Sequence, residues 1–342
     1  AGSLQPNVIH VSARAVATHA LSIFGDHSDV MACRSTGYAM LCSIHPQECM
    51  DLGAVAHLAA IKGHMPFIHF FDGFRTSHEI RKIASWDYKD LAEMVDWKAL
   101  KEFREHALNP DHPVLRGSAQ NPDIFFQNKE CVNEYYRRLP DVVQGCMDQV
   151  NEKTGKNYKL FNYYGAPDAE TVMVAMGSMC DCAEEVCDYL NQSGQMKVGL
   201  IKVRLFRPFA TERFLAAIPK TCRYMVAMDR CKEASAIGEP LYMDVSAAVH
   251  YSGRNIRVVG GRYGLGSKDT TPGGVLAAYR NACAMDPVHG FTINITDDVT
   301  HLSLPITEEP EVTPAGTVCC KFWGLGSDGT VGANKNSIKI IG

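Results

Sequence analysis

The 342-residue sequence contains no apolar run of the roughly 18 to 20 residues that a membrane-spanning helix needs. It has no C-x-x-C pair, and so no local spacing of the kind that seats an iron–sulfur cluster. None of its 13 histidines falls in an H-x-x-x-H or H-E-x-x-H pattern, and the acidic pair Asp297-Asp298 stands alone. No metal site is therefore expected from the residues of this chain. Charge of either sign is not in excess: 34 Lys and Arg face 38 Asp and Glu, a formal net charge of -4. That balance lacks the basic footprint of a protein that binds nucleic acid or an anionic membrane, and neither partner is expected. Residues 1–20 mix His, Gln, Asn and Arg among apolar residues, which is not a secretory leader. The 13 cysteines are odd in number and scattered, with one C-D-C at Cys180 and Cys182 and the adjacent pair Cys319-Cys320. They do not read as a disulfide framework, and a reducing, cytoplasm-like compartment is expected.

What is present is the composition of globular cores, 46% hydrophobic and 21% charged, at a length that suits two or three domains. Residues 7–11 (NVIHV) and 66–71 (PFIHFF) read as buried strands. Residues 46–61 read as a helix with Met50, Gly53, Ala54, His57, Leu58 and Ile61 on one stripe. Residues 87–108 form a longer amphipathic stretch, and residues 109–128, with three prolines, an irregular loop. From about residue 158 strand-like and helical patterns alternate steadily. Strands fall at 171–176, 198–205, 224–228 and 256–259, and helices at 182–191, 211–218, 241–251 and 274–284. That order predicts a parallel sheet covered on both faces. A polar linker, 151–157 (NEKTGKN), separates the blocks, and a second, T-E-E-P-E-V-T-P, precedes a strand-like run at 316–323, a Gly-rich loop at 324–332 and a helical pattern at 333–338. The fold class is thus α/β with parallel sheets, divided as 1–157, 158–307 and 308–342. Both termini read as interior chain, so a piece of a longer polypeptide is expected.

Several clusters carry chemistry. Arg14 follows a strand, where α/β proteins place ligand groups, and a guanidinium binds a carboxylate through two parallel N–H donors. A surface arginine at a strand end is the other reading. Asp26-His27 offers a carboxylate beside an imidazole, for acid–base work or to order its loop. Residues 72–79 (DGFRTSHE) are dense in ionisable groups, for chemistry or for an ion-pair network among Asp72, Arg75 and Glu79. Arg204 and Arg207 are expected to close the end of a strand. The loop G-L-G-S-D-G-T-V-G, before a helix, offers backbone N–H groups to a phosphate or forms a structural turn.

The consecutive motifs HVSAR (10–14), FGDHSD (24–29), FFDGFRTSHE (70–79), QNPD (120–123), GAPDAE (165–170), GRYGLGSK (261–268) and FWGLG (322–326) resemble pyruvate:ferredoxin (flavodoxin) oxidoreductase, in family order across the chain. The resemblance implies the later part of a thiamine-pyrimidine-side domain, a transketolase-C-terminal-like domain II and the start of domain III. It implies a homodimeric cytoplasmic or organellar enzyme, as in a hydrogenosome, that oxidatively decarboxylates pyruvate to acetyl-CoA and CO2. Electrons would pass through [4Fe-4S] clusters to ferredoxin or flavodoxin, with thiamine diphosphate and Mg2+ as cofactors and coenzyme A as co-substrate. The metal and cluster ligands would lie outside this chain, and the chain alone is expected to be inactive. Residue by residue, Arg14 matches the arginine that holds the substrate carboxylate, with Ser12, where Thr is common, and His10 as supports. Ile23 matches the apolar residue beside the thiamine pyrimidine; alone it reads as core packing. Gly326, Ser327, Asp328, Gly329, Thr330 and Lys335 are candidates to cradle coenzyme A phosphates. Other thiamine enzymes, such as a transketolase or a 2-oxoacid dehydrogenase β subunit, and a non-catalytic scaffold are the rival readings.

Overall fold

The computed structural model describes residues 2–113, 115 and 117–341. Ala1 and Gly342, the ends on which the chain was read as cut, lie outside the described residues. The first stretch runs β1 (Val8–Ala13), α1 (Ser28–Ala32), β2 (Ala39–Cys42), α2 (Pro46–Gly63), β3 (Phe67–Asp72), α3 (Arg75–His78), α4 (Tyr88–Met94), α5 (Trp97–Glu105), α6 (Pro122–Cys131) and α7 (Asn133–Thr154). Then follow β4 (Phe161–Gly165), β5 (Thr171–Ala175), α8 (Met179–Ser193), β6 (Val198–Val203), β7 (Leu205–Arg207), α9 (Thr211–Ala217), β8 (Tyr224–Asp229), α10 (Pro240–Ser252), β9 (Arg257–Arg262), α11 (Pro272–Cys283), β10 (Phe291–Thr292) and α12 (Thr330–Ile341).

Two sheets result. The first has four strands in the order β1-β3-β2-β7, and the second six in the order β10-β9-β8-β5-β6-β4. β3 is paired on both sides by parallel strands. Its sequence, FIHFFD, has no polar alternation because both of its faces are covered. β5 (TVMVA) is buried throughout for the same reason. Only β4 and β7 run antiparallel to their neighbours.

Helix boundaries follow their caps. Pro46 starts α2 behind His45, whose side chain accepts the Glu48 N–H, and left-handed His64 stops it. α8 and α10 end at Gly194 and Gly253, both at positive φ, the conformation that glycine adopts without a Cβ clash.

The structure differs from the sequence reading in several places. β7 leaves the second block and pairs with β2 of the first, so Arg207 does not close a strand end in its own sheet. Arg204 crosses to α2 and forms a buried 2.5 Å ion pair with Glu48. Residues 151–154 belong to α7 rather than to a linker, and Gly155 ends that helix. The loop expected at 109–128 gives way to α6 at Pro122, a good first helical residue. No strand forms at 316–323, a stretch without a partner strand among the described residues.

Candidate functional site

The site begins with strand register. β1 and β3 pair in parallel with Ala13 opposite Asp72, so the next residues, Arg14 and Gly73, emerge together at the carboxyl edge of the sheet. The Gly73 N–H donates to Ala13 O at 3.1 Å and carries the ladder one step further. A Cβ on Gly73 would lie 1.7 Å from Arg14 Nη1 and 2.1 Å from Ala13 O, so only glycine fits there. Arg14 Nη1 donates to Ser12 Oγ at 2.7 Å, to Ser12 O at 3.1 Å and to Ala13 O at 3.2 Å. Its backbone N–H donates to Asp29 Oδ2 at 2.9 Å. The guanidinium stands 4.8 Å from the centre of the Phe74 ring, a cation–π contact. Among the described residues no carboxylate pairs with the Arg14 guanidinium, whose hydrogen bonds run from Nη1 alone.

The expected supports separate here. Ser12 is a direct support. His10 is not, because its ring is held by His69 (Nδ1 to Nδ1, 2.8 Å) and His57 (Nε2 to Nε2, 3.0 Å). His69 continues to Ser43 Oγ at 2.8 Å, and Ser43 Oγ donates to Glu48 O at 3.2 Å. At these separations the ring nitrogens are hydrogen-bonded to one another, one N–H donating to the next ring. Burial pushes His69 down to about 3, and His10 and His57 push the same way. Burial also lowers His10 and His57. Among the described residues no group of three or more His, Cys, Asp or Glu is placed to hold a metal ion.

Below Arg14 lies a buried charge network that sequence spacing did not reveal. Asp26 does not engage His27; its carboxylate accepts from Ser28 N–H and Oγ. His27 turns inward, with Nε2 at 2.5 Å from Asp72 Oδ1. Arg230 Nη1 forms an ion pair with Asp72 Oδ2 at 2.6 Å, at an angle that is not a hydrogen bond's. Ser178 donates to the same oxygen from Oγ at 2.5 Å and from its backbone N–H at 3.0 Å. Burial raises the Asp72 carboxyl, but His27 and Arg230 outweigh it and hold it well below the usual carboxylate range. Arg75 and Glu79 stay apart from Asp72: Arg75 pairs with Asp269 at 2.6 Å and Glu79 with Arg81 at 3.6 Å. Ser178 follows β5, and Arg230 follows β8, so the carboxyl ends of both sheets meet at Asp72. No local sequence signal pairs residues 106 or more positions apart.

Ile23 is 59% exposed and Phe24 48%. Both sit in the stretch between Arg14 and α1, so Ile23 is not packed in a core. The Gly-rich candidates precede α12: Gly326, Ser327 and Gly329 have positive φ, and the Asp328 carboxylate accepts from Thr330 N–H (3.0 Å) and Oγ1 (2.5 Å). Lys335 lies within α12, which has no buried residue. The expected frame of strand, loop and helix therefore lacks its strand. A cleft of about 820 Å³ lies away from Arg14, between α2, β3 and residues 83–95, and is lined by His10, Met50, His57, Phe71 and Trp86. A polar one of about 240 Å³ adjoins Arg75, Ser178, Arg230 and Lys268. No described helix is long and apolar enough to cross a membrane.

Parallel-dominated sheets that meet at their carboxyl ends define an α/β protein, the fold class in which ligands bind at the strand ends. Residues 1–148 match the family described as "Pyruvate flavodoxin/ferredoxin oxidoreductase, thiamine diP-bdg", and residues 169–275 match "Pyruvate:ferredoxin oxidoreductase core domain II". The chain belongs to this pyruvate:ferredoxin/flavodoxin oxidoreductase family. It is 58% identical over 342 residues to a pyruvate:ferredoxin oxidoreductase from Moorella thermoacetica. It is 54% identical over 343 residues to a pyruvate-flavodoxin oxidoreductase from Enterobacter agglomerans. Each alignment covers 100% of this chain and 29% of the relative. A mitochondrial pyruvate dehydrogenase [NADP(+)] from Euglena gracilis is 50% identical, with 19% of its length covered. A 2-oxoglutarate:ferredoxin oxidoreductase structure from Magnetococcus marinus superposes at a TM-score of 0.49 and 15% identity, over 79% of this chain and 47% of that one.

Proposed function

We propose that this chain forms the 2-oxoacid-binding edge of a thiamine-diphosphate-dependent oxidoreductase that converts pyruvate and coenzyme A to acetyl-CoA and CO2. The observation that carries the reading is Arg14: a guanidinium fixed through one nitrogen by Ser12 and Ala13, with donors to spare and no carboxylate partner among the described residues. A 2-oxoacid carboxylate accepts two parallel N–H donors from such a group. Exposed Ile23 and Phe24 supply an apolar wall of the kind a pyrimidine ring and a substrate methyl group rest on. These residues fit the substrate edge of a thiamine site.

When bound, thiamine diphosphate supplies the nucleophilic carbon and the sink for the electron pair left by loss of CO2. The part of this chain is to bind and orient. Arg14 fixes the carboxylate while the ketone is presented to the cofactor, and the Ser12 hydroxyl and the Phe74 face keep the guanidinium from swinging away. Iron–sulfur clusters, when bound, would take the two electrons on to ferredoxin or flavodoxin. Those clusters and the magnesium–diphosphate site belong, in this reading, to the remainder of the polypeptide, of which the chain spans 29% in the relatives. The boundaries 1–157, 158–307 and 308–342, the homodimer and a cytoplasmic or organellar location are part of the same proposal. The loop of Gly326, Ser327, Asp328, Gly329 and Thr330, with Lys335, is proposed to take coenzyme A phosphates on its backbone N–H groups.

Two variants of the full-length polypeptide test this. Arg14→Ala is expected to lower kcat/KM for pyruvate by at least about 30-fold, the effect of losing about 2 kcal/mol from a charged hydrogen-bonded contact. Arg14→Lys, a point charge without the fork, should recover only part of it. An unchanged pyruvate KM in Arg14→Ala would refute the assignment. Gly329→Asp should raise the KM for coenzyme A and leave CO2 release intact; unchanged coenzyme A affinity removes that loop from the site.

A further inference from the structure

We infer that Ser267 is a positioning residue for Arg14, acting from the second sheet across the junction between the two sheets. This inference rests on the substrate-carboxylate role proposed for Arg14. Ser267 follows β9 in a tight turn with Gly264 and Gly266, all three at positive φ. Three of its polar atoms reach residues beside the first sheet, in the loop after β1 and at the start of α3. The Ser267 N–H donates to Gly25 O at 3.1 Å, and Ser267 Oγ accepts from the Gly25 N–H at 3.1 Å. Ser267 O accepts from Arg75 Nη2 at 2.7 Å, and the same nitrogen donates to Asp269 Oδ1 at 2.6 Å. Arg230 Nη2, from the network around Asp72, is 3.4 Å from Ser267 Oγ.

The two residues tethered to Ser267 are the chain neighbours of Phe24 and Phe74. Those rings pack with centres 4.9 Å apart, and Phe74 is the ring that faces the Arg14 guanidinium. Backbone packing makes a second link. A Cβ on Gly25 would lie 2.6 Å from Gly73 O and 3.0 Å from Ala13 O, and one on Gly73 would lie 1.7 Å from Arg14 Nη1. Ser267, Gly25, Gly73 and Arg14 are therefore stacked in van der Waals succession, without a flexible side chain between them to absorb a shift. Releasing Gly25 frees Phe24 and loosens the cover on Phe74, and the guanidinium loses its fixed aim. A non-glycine residue held in the left-handed region is unfavourable in itself, and it persists where surrounding contacts demand it. At Ser267 those contacts are the Gly25 and Arg75 hydrogen bonds.

The test uses the full-length polypeptide with Ser267→Gly and Ser267→Asn. Glycine accepts the positive φ and removes the hydroxymethyl side chain that carries the Oγ acceptor. Asparagine tolerates that conformation and offers Oδ1 to the Gly25 N–H. Ser267→Gly is expected to raise the KM for pyruvate about fivefold, the effect of one neutral hydrogen bond, with kcat within about twofold and the KM for coenzyme A unchanged. Ser267→Asn should recover most of the pyruvate KM, and Ser267→Gly should add nothing in an Arg14→Ala background. A merely structural residue would lower kcat, both KM-derived affinities and the unfolding temperature together, and that outcome overturns the inference. So does an unchanged pyruvate KM in Ser267→Gly when Arg14→Ala raises it. If Arg14→Ala itself leaves the KM unchanged, the carboxylate role fails first, and the positioning role fails with it.

Discussion

Asp72 and Gly73 adjoin in sequence and do opposite things. Asp72 is a carboxylate without solvent, held charged by Arg230 and His27. Removing one partner of such a group leaves the others buried and unmatched, at a cost of about 3–5 kcal/mol. Asp72→Ala should therefore lower unfolding stability by that order in urea titrations; a change below about 1 kcal/mol would mean that the network is not charged. Gly73→Ala should lose pyruvate affinity, because the added methyl takes the space of Arg14 Nη1 and Ala13 O. His69 gives a pH prediction. Its folded pKa lies near 3, below the ordinary value of 6.5, so as pH falls the unfolded chain takes the proton first. The stability it contributes is complete above about pH 6.5 and is lost as pH falls from there toward 3, by about 1.4 kcal/mol per pH unit for one proton. His10 and His57, also lowered, add to the same slope. His69→Gln should flatten the pH dependence of unfolding in that window, and an unchanged slope would place the proton uptake elsewhere.

At the scale of elements, the strands were readable where both faces are buried. Residues 66–71, apolar but for His69, and 171–176, apolar after Thr171, correspond to β3 and β5. The helices of the second sheet were readable from their helical pattern between the strands. α7 was missed because Pro140 and a charged face interrupt its pattern, although Leu139, Val143, Cys146, Met147 and Val150 form its buried stripe. β7 is three residues long, and its pairing with β2 depends on contacts 167 and 164 positions apart in the chain, Met40 with Arg207 and Leu41 with Leu205. Arg14 and Ser12 are brought together by adjacency in sequence, Arg14 lying just past the end of β1. Arg230, Ser178 and Ser267 were not legible, because only the folded sheets bring them near. The Glu48–Arg204 pair stitches α2 to the β6–β7 junction, with both side chains under 5% exposed. Burial raises Glu48, and Arg204 more than offsets it. Arg204→Met alone should cost about 3–5 kcal/mol, and the double variant with Glu48→Gln clearly less, since no unpaired charge remains. Losses in Arg204→Met and Glu48→Gln alone that simply add up in the double variant would show that the pair is not coupled.

At the scale of the whole molecule, two sheets face each other with their carboxyl ends, and the contact is polar: Asp72, His27, Arg230 and Ser178 below, Gly25, Arg75 and Ser267 beside it. A polar junction fixes orientation through hydrogen bonds, and it is a suitable place to hold Arg14, the residue proposed to bind the 2-oxoacid carboxylate, at a set angle. The measurement that tests this most directly is anaerobic, pyruvate- and coenzyme A-dependent viologen reduction by the full-length polypeptide, unaltered and with Arg14→Ala, across pyruvate concentrations. The account predicts reduction by the unaltered protein, a fall of at least about 30-fold in kcat/KM for pyruvate in the variant, and no turnover by residues 1–342 alone. An active Arg14→Ala protein with an unchanged pyruvate KM would contradict it.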